Sequence, residues 1–309
     1  MNGRRTFGAL EAGGTKFVCA IGTGPDDLSA IERVPTANPA STLERAAAFF
    51  RAALGRGEPV AAVGIAAFGP IETRRGQPGY GRLLATPKPG WTGADVVGPI
   101  AAAIGLPVGL DTDVVGAALG EGRWGAARGL DAFVYVTVGT GIGGGAIVGG
   151  RVVPGVPHAE MGHQSVARQP GDTFAGVCPF HGDCLEGLAS GPAIAARTGR
   201  PAEALSGSVL AGAVELEAAY LADGLRNIVY TISPQRIVLG GGVVAMPGLI
   251  ERVRERLRDS LGGYPGTPEL GADDFVAPAA LGAMAGVLGA IVLAERAALE
   301  AGLSPPGGP

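Results

Sequence analysis

Apolar residues along this chain fall into two patterns. Short unbroken runs at Phe7 to Leu10, Phe17 to Ile21, Phe133 to Val138, Ala146 to Val153 and Arg236 to Leu239 predict buried strands. Glycine stretches punctuate them at Gly13-Gly14, Gly139 to Gly145 and Gly240 to Gly242. The first two stretches each stand between two runs, which predicts a glycine-turn hairpin in each half of the chain. Three-to-four spacing predicts helices over Thr42 to Leu54 and Leu249 to Leu261, the latter with Pro247 at its first turn. A longer helix is predicted from Gly212 to Val229, before Ser233-Pro234, and a final one from about Ala280 to Ala301. Strands alternating with helices make an α/β protein, and the repeated hairpin makes two related lobes.

Length supports two lobes, because 309 residues exceed what one hydrophobic core usually organises. A net charge of −4 leaves no basic stripe for nucleic acid and points to a small neutral or phosphate-bearing ligand. Three cysteines, with Cys19 alone in an apolar run, do not form a disulfide framework, so a cytoplasmic location is expected. The stretch Met1 to Leu10 reaches Glu11 before an apolar block of signal-peptide length accumulates, so no export is expected. Val276 to Ala294 carries no charge, but Pro278, Gly282, Gly286 and Gly289 fit close packing in a soluble core better than a membrane span. The tail Ser304 to Pro309 is expected to be disordered.

Five of the six histidines and cysteines lie between His158 and Cys184. Thiolate and imidazole are the donors of a closed tetrahedral zinc site, and His163, Cys178, His181 and Cys184 are the candidate ligands, with His158 the only substitute for His181. Glu160 and Glu186 flank this group closely enough for a folded zinc knot to hold both carboxylates toward hydroxyl groups.

Glycine turns expose backbone N–H groups, an inexpensive way to bind phosphates. Glu11-Ala-Gly-Gly-Thr15-Lys16 and Thr137-Val-Gly-Thr140-Gly-Ile-Gly are the candidates. Neither is a Walker loop, since Lys16 follows Thr15, and Gly139, Gly141 and Gly144 precede a β-run where a dinucleotide fingerprint needs a helix. Gly240 to Gly242 precede a helix and suit a base and ribose. Asp111-Thr112-Asp113 closes the run Pro107 to Leu110, which puts a carboxylate either in a catalytic position at a strand end or in a helix cap.

Together these motifs, with Phe68-Gly-Pro70 and Thr86-Pro-Lys-Pro-Gly-Trp91, resemble the ROK sugar kinases and within them the bacterial fructokinase branch, over nearly the whole chain. The resemblance implies a two-lobed actin/hexokinase-like (ribonuclease H-like) fold with a zinc-binding loop. It places an N-terminal lobe over 1–114, joined by the C-terminal helix at about 280–303, and a C-terminal lobe over 115–279 with the zinc motif at 158–186. It implies transfer of the γ-phosphoryl group of Mg²⁺-ATP to a hexose, with Asp113 as general base and D-fructose the expected substrate. By the same resemblance Glu160, His163, Glu186 and Thr112 contact the sugar, His163 also ligates a structural Zn²⁺, and the protein is a homodimer. The nucleotide falls to Gly13, Gly14, Thr15, Lys16, Thr140, Gly141, Gly240, Gly241 and Gly242.

Glu11 and Thr112 stand where most members have Asp and Asn, and His181 where most have a cysteine. The repressors of the family carry a helix-turn-helix ahead of the first glycine motif, and only ten residues precede Glu11 here. Glucokinase, mannokinase or N-acylhexosamine kinase activity and a non-enzymatic zinc-stabilised sugar sensor are the rival expectations.

Overall fold

A computed structural model describes residues 5–303; the tail from Ser304 lies outside the described residues. The chain divides into two compact units. One holds the residues up to Trp124, the return Pro154–His158 and those from Ala283 onward; the other holds Gly125–Val153 and Ala159–Gly282.

In the first unit β1 (Thr6–Ala12), β2 (Lys16–Gly22), β3 (Ala30–Pro35), β4 (Val60–Ala67) and β5 (Val108–Thr112) form one sheet in the order β3-β2-β1-β4-β5. β1, β2 and β3 pair antiparallel, whereas β4 and β5 run parallel to β1. Strands β1, β2 and β4 are buried along nearly their whole length, as strands covered on both faces are, while β3 alternates and forms the edge. Helix α1 (Pro39–Gly55) starts three residues before the apolar spacing does, because Asn38 accepts the Ser41 N–H and Pro39 is preset for a first turn. Helices α2 (Gly98–Ile104) and α3 (Asp113–Trp124) follow.

The second unit repeats this design. β6 (Phe133–Val138), β7 (Ile142–Val148) and β8 (Arg151–Val152) pair antiparallel, and β9 (Arg236–Gly240) and β10 (Val276–Pro278) join in parallel, giving β10-β9-β6-β7-β8. Read from β8, the order is that of the first sheet. The apolar run Ala146 to Val153 is not one strand: Gly149 and Gly150, at φ of 59° and 71°, turn it back on itself. Gly143 to Gly145, predicted as part of the turn, lie inside β7. Helices α4 (Leu185–Ala189), α5 (Gly191–Thr198), α6 (Gly207–Ile232) and α7 (Leu249–Leu261) complete the unit. α7 has the predicted bounds, but Gly248 is its N-cap and Pro247 precedes the helix.

The uncharged run Val276 to Ala294 is split between the units. Its start is β10, and after a 3-10 turn at Gly282–Met284 the remainder opens α8 (Ala285–Glu300), a mostly buried core helix of the first unit. Glycine lets α8 lie directly on its neighbours. A Cβ on Gly64 of β4 would sit 1.8 Å from the Ala290 carbonyl oxygen, and one on Gly289 would sit 1.6 Å from that of Gly116 in α3. Arg123 and Glu295 add an ion pair between α3 and α8 at 2.7 Å. This packing keeps α3 in the first unit, so the chain leaves that unit at Trp124 and not at the predicted residue 114. Gly289→Ala should therefore cost about 3 kcal/mol or more, since both clashing groups are backbone. Thermal melts should show that loss, with Gly14→Ala unchanged, because a Cβ there meets nothing within 4 Å.

Candidate functional site

In the first unit the parallel strands end in register, Ala12 opposite Ala67 and Ala67 opposite Thr112. The turn Gly13-Gly14-Thr15, the segment Phe68-Gly69-Pro70 and Asp113 all emerge at this edge of the sheet. The turn is closed by the Gly13 N–H donating to Lys16 O at 3.0 Å, and Thr36 anchors it through its hydroxyl to Gly13 O and its N–H to Thr15 O. Gly14 is open, and Thr15 and Lys16 are exposed.

Thr112, not an aspartate, caps α3. It is 2% exposed and its Oγ1 accepts the Val115 N–H at 3.2 Å, so this buried hydroxyl fixes the start of the helix. Asp113 is the first helical residue, and its Oδ1 accepts the Val114 N–H at 2.8 Å. Asp111 accepts the Thr112 N–H, and burial pushes its carboxyl up to about 6 against the pull of that N–H and of Arg296.

Glu11, half-buried on β1, has its pKa pushed up to about 7, first by burial and then by the charge of Asp113, with Lys16 opposing. A raised folded-state pKa means the native state holds the proton more tightly than the unfolded chain. Its contribution is complete below the ordinary value of 4.5 and is lost as pH rises through about 7. Glu11→Gln should accordingly be more stable than wild type at pH 8 by up to about 3 kcal/mol, with the gap closing toward pH 4.5. Nucleotide-free melts across that range test this, and a constant gap would contradict it.

In the second unit Gly139 N–H bonds Gly141 O at 2.9 Å, and Gly139 O accepts the N–H of Gly191, the first residue of α5. Pairing of Thr137 with Gly240 brings Gly240 to Gly242 beside this turn. Gly241 has φ 92° and a Cβ there would lie 2.2 Å from Val138 O, so only glycine fits. Thr140 is exposed on the turn. Glu186, in the first turn of α4, accepts the Ile142 N–H through Oε2 at 2.9 Å, and a Cβ on Gly141 would stand 2.7 Å from that oxygen. This link between an acid and a glycine turn is not legible from spacing; its one signal is a glycine where the carboxylate must enter.

His163, Cys178, His181 and Cys184 converge, with ligand atoms within 4.8 Å of one another. Cys178 Sγ is 3.6 Å from His163 Nδ1 and 3.7 Å from His181 Nδ1, and Cys184 Sγ is 3.6 Å from His163 Nδ1. Bonds of about 2.3 Å to sulfur and 2.05 Å to nitrogen in a tetrahedron put sulfur and nitrogen about 3.6 Å apart. The four side chains could hold a metal ion at that spacing. Reciprocal backbone bonds between Cys178 and Gly182 form the tight loop that presents three of them. His163 comes from a 3-10 turn, Met161–His163, tied to Glu160 O, and its Nε2 lies 4.0 Å from Glu186 Oε1. Glu160 is exposed at the same turn; desolvation raises its pKa, His163 lowers it and Glu186 raises it again. His158 belongs to the other unit, where its Nε2 accepts the Ile71 N–H at 3.2 Å, which makes it a neutral Nδ1–H imidazole.

Comparison with known proteins identifies the family. The sequence profile of the ROK family matches residues 7–297. The chain is 43% identical over 300 residues to the fructokinase of Zymomonas mobilis, covering 96% of this chain and 98% of that one. Among solved structures, the ROK hexokinase from Thermus thermophilus is 31% identical with a TM-score of 0.75, over 96% of this chain and 99% of its own. A ROK family glucokinase from Streptomyces griseus in complex with glucose and AMPPNP is 25% identical with a TM-score of 0.72, over 94% and 99%.

Proposed function

This chain belongs to the ROK family, and from that premise we propose that it is an ATP-dependent hexose kinase that converts D-fructose to fructose 6-phosphate. One observation carries the proposal: in each sheet the first strand ends in a glycine turn, after β1 and after β6, and Asp113 stands at that same edge in the first unit. The identity to a fructokinase over almost the full length supports the sugar, and the complex of a related glucokinase with glucose and AMPPNP supports the pair of substrates.

Asp113 accepts the proton of the C6 hydroxyl as its oxygen attacks the γ-phosphorus, and the bond to the β–γ bridging oxygen breaks to release ADP. Backbone N–H groups of Gly14 and Thr15 and of the turn at Thr140-Gly141 bind phosphate oxygens beside Lys16, and Gly240 to Gly242 receive the base and ribose. Mg²⁺ arriving with ATP neutralises phosphate charge. Glu160, Glu186 and the Nε2–H of His163 hold the sugar hydroxyls. Thr112 caps α3 through its oxygen and keeps its hydroxyl proton as the donor it would offer the sugar.

We assign the cation of the second unit as Zn²⁺ held by His163, Cys178, His181 and Cys184. Two thiolates and two imidazoles fill a tetrahedron, so the ion is structural and fixes the tautomer of His163. The free thiols of Cys19, Cys178 and Cys184 are compatible with the cytoplasm, and a homodimer completes the proposal.

The test is ADP release with Mg²⁺-ATP across fructose, mannose, glucose and N-acetylmannosamine. Fructose should exceed every other sugar in kcat/KM by at least about tenfold. Preference for another hexose would move the protein to a sister branch, and binding without turnover would make it a sensor.

A further inference from the structure

Of the three histidines, His158 alone stays outside the His/Cys group. It lies on the return Pro154–His158, which belongs to the first unit; Pro154 to Val156 are exposed there, and Pro157 and His158 are half-buried. The residue it bonds, Ile71, directly follows Phe68-Gly69-Pro70, the segment that emerges at the same sheet edge as Asp113. Ile71 bridges Leu83 in antiparallel fashion: Pro70 O accepts the Leu84 N–H at 2.7 Å, and the Glu72 N–H donates to Arg82 O at 3.0 Å. In that pattern the N–H of Ile71 itself points away from Leu83. Ile71 is fully buried, so this donor depends on an acceptor within the protein, and His158 Nε2 supplies it at 3.2 Å. Two residues on, the Thr73 hydroxyl donates to Pro157 O at 3.4 Å. The imidazole also lies against Gly69, where a Cβ would stand 3.3 Å from its Cε1.

Only a neutral ring can hold Ile71 in this way. A protonated imidazole carries N–H at both nitrogens and accepts nothing, which would leave a buried backbone donor unmet. Glu72 and Asp111 are the carboxylates near enough to act on a protonated ring. Arg74 pairs with Glu72 at 2.6 Å, and the charge of Arg296 acts on Asp111. The neighbouring turn Gly13-Gly14-Thr15 does not depend on His158, since Thr36 anchors it through two hydrogen bonds of its own.

We propose that His158 is a positioning residue for the reaction: its neutral imidazole holds Ile71, and with it the segment Phe68-Gly69-Pro70, in place at the edge that carries Asp113. The inference rests on the hexose kinase reading. It assigns the effect to the step at the sugar, because the glycine turn assigned to phosphate keeps its separate anchor.

The experiment compares the full-length, metal-loaded protein with His158→Leu and His158→Gln, the latter because its amide oxygen can replace Nε2 as acceptor and does not titrate. In His158→Leu, kcat/KM for fructose should fall at least about tenfold while KM for ATP stays within about twofold of wild type. His158→Gln should recover kcat/KM to within about threefold at a pH of about 8. Since only the wild-type ring gains a proton, the ratio of His158→Gln to wild type should climb as pH falls from about 8 to about 5.5. Glu11 and Asp111 titrate in both proteins and drop out of that ratio. Amide exchange over residues 68–73, followed by mass spectrometry, reads the same contact without turnover: protection should be lost in His158→Leu and kept in His158→Gln. Unchanged protection or unchanged kcat/KM in His158→Leu, no recovery in His158→Gln, or a flat pH ratio overturns the proposal. Absence of sugar-dependent ADP release in wild type would remove the kinase reading, and exchange would then decide what His158 holds. If His158→Leu does not fold, the pH ratio of His158→Gln decides.

Discussion

Replacing Asp113 by Asn is expected to lower kcat about 10²–10⁴-fold, or roughly 3–5 kcal/mol of transition-state stabilisation, while sugar binding is retained. The substitution is clean because the Oδ1 of asparagine can still accept the Val114 N–H that Asp113 now accepts at 2.8 Å. Thr112 still caps α3 through its own oxygen. What the amide cannot do is take up the hydroxyl proton. Single-turnover phosphoryl transfer from Mg²⁺-ATP to fructose, with fructose affinity measured beside it, separates the two effects. Unchanged turnover would remove Asp113 from the chemistry.

Cys184→Ser is expected to lose the bound metal and stability together. Cys184 is 4% exposed, and with no cation its thiol is pushed up to about 11, mainly by burial. A divalent cation reverses that preference by binding the thiolate, so folding and metal binding are linked. Removing one of four ligands should cost several kcal/mol, or roughly 5–15 °C in melting temperature for a chain of this size. Activity should fall with it, because His163 turns Nδ1 to both thiols, and α4, which carries Glu186, begins one residue after Cys184. Metal analysis and melting of wild type, chelated wild type and the variant provide the check. Added Zn²⁺ should restore the chelated wild type only. A variant that keeps both metal and melting temperature would show that the cluster is not a metal centre.

Much of the site was legible because its chemistry is local. Cys178, His181 and Cys184 fall within one tight loop, and the hairpins at Gly13-Gly14 and Gly139 to Gly141 join strands adjacent in sequence. The bounds of α7 also follow from periodicity alone. Details that contacts at long separation decide were not legible: the core-packing run Val276 to Ala294 divides into β10 and α8, Thr112 caps α3, and the first unit keeps the chain until Trp124. Close packing at Gly289 was legible, but its partner was not: the carbonyls that Gly64 and Gly289 make room for belong to Ala290 and Gly116.

The sequence by itself determined the α/β class, the duplicated hairpins, the members of the His/Cys group and the order of motifs that marks a ROK sugar kinase. Each of these depends on residue type and short spacing, which turn geometry and hydrophobic periodicity convert into structure directly. Only the tertiary structure decided which helix covers which sheet and that Glu186 braces a glycine turn. These depend on the meeting of backbones far apart in the chain, and close packing, unlike periodicity, leaves no local signature of its partner.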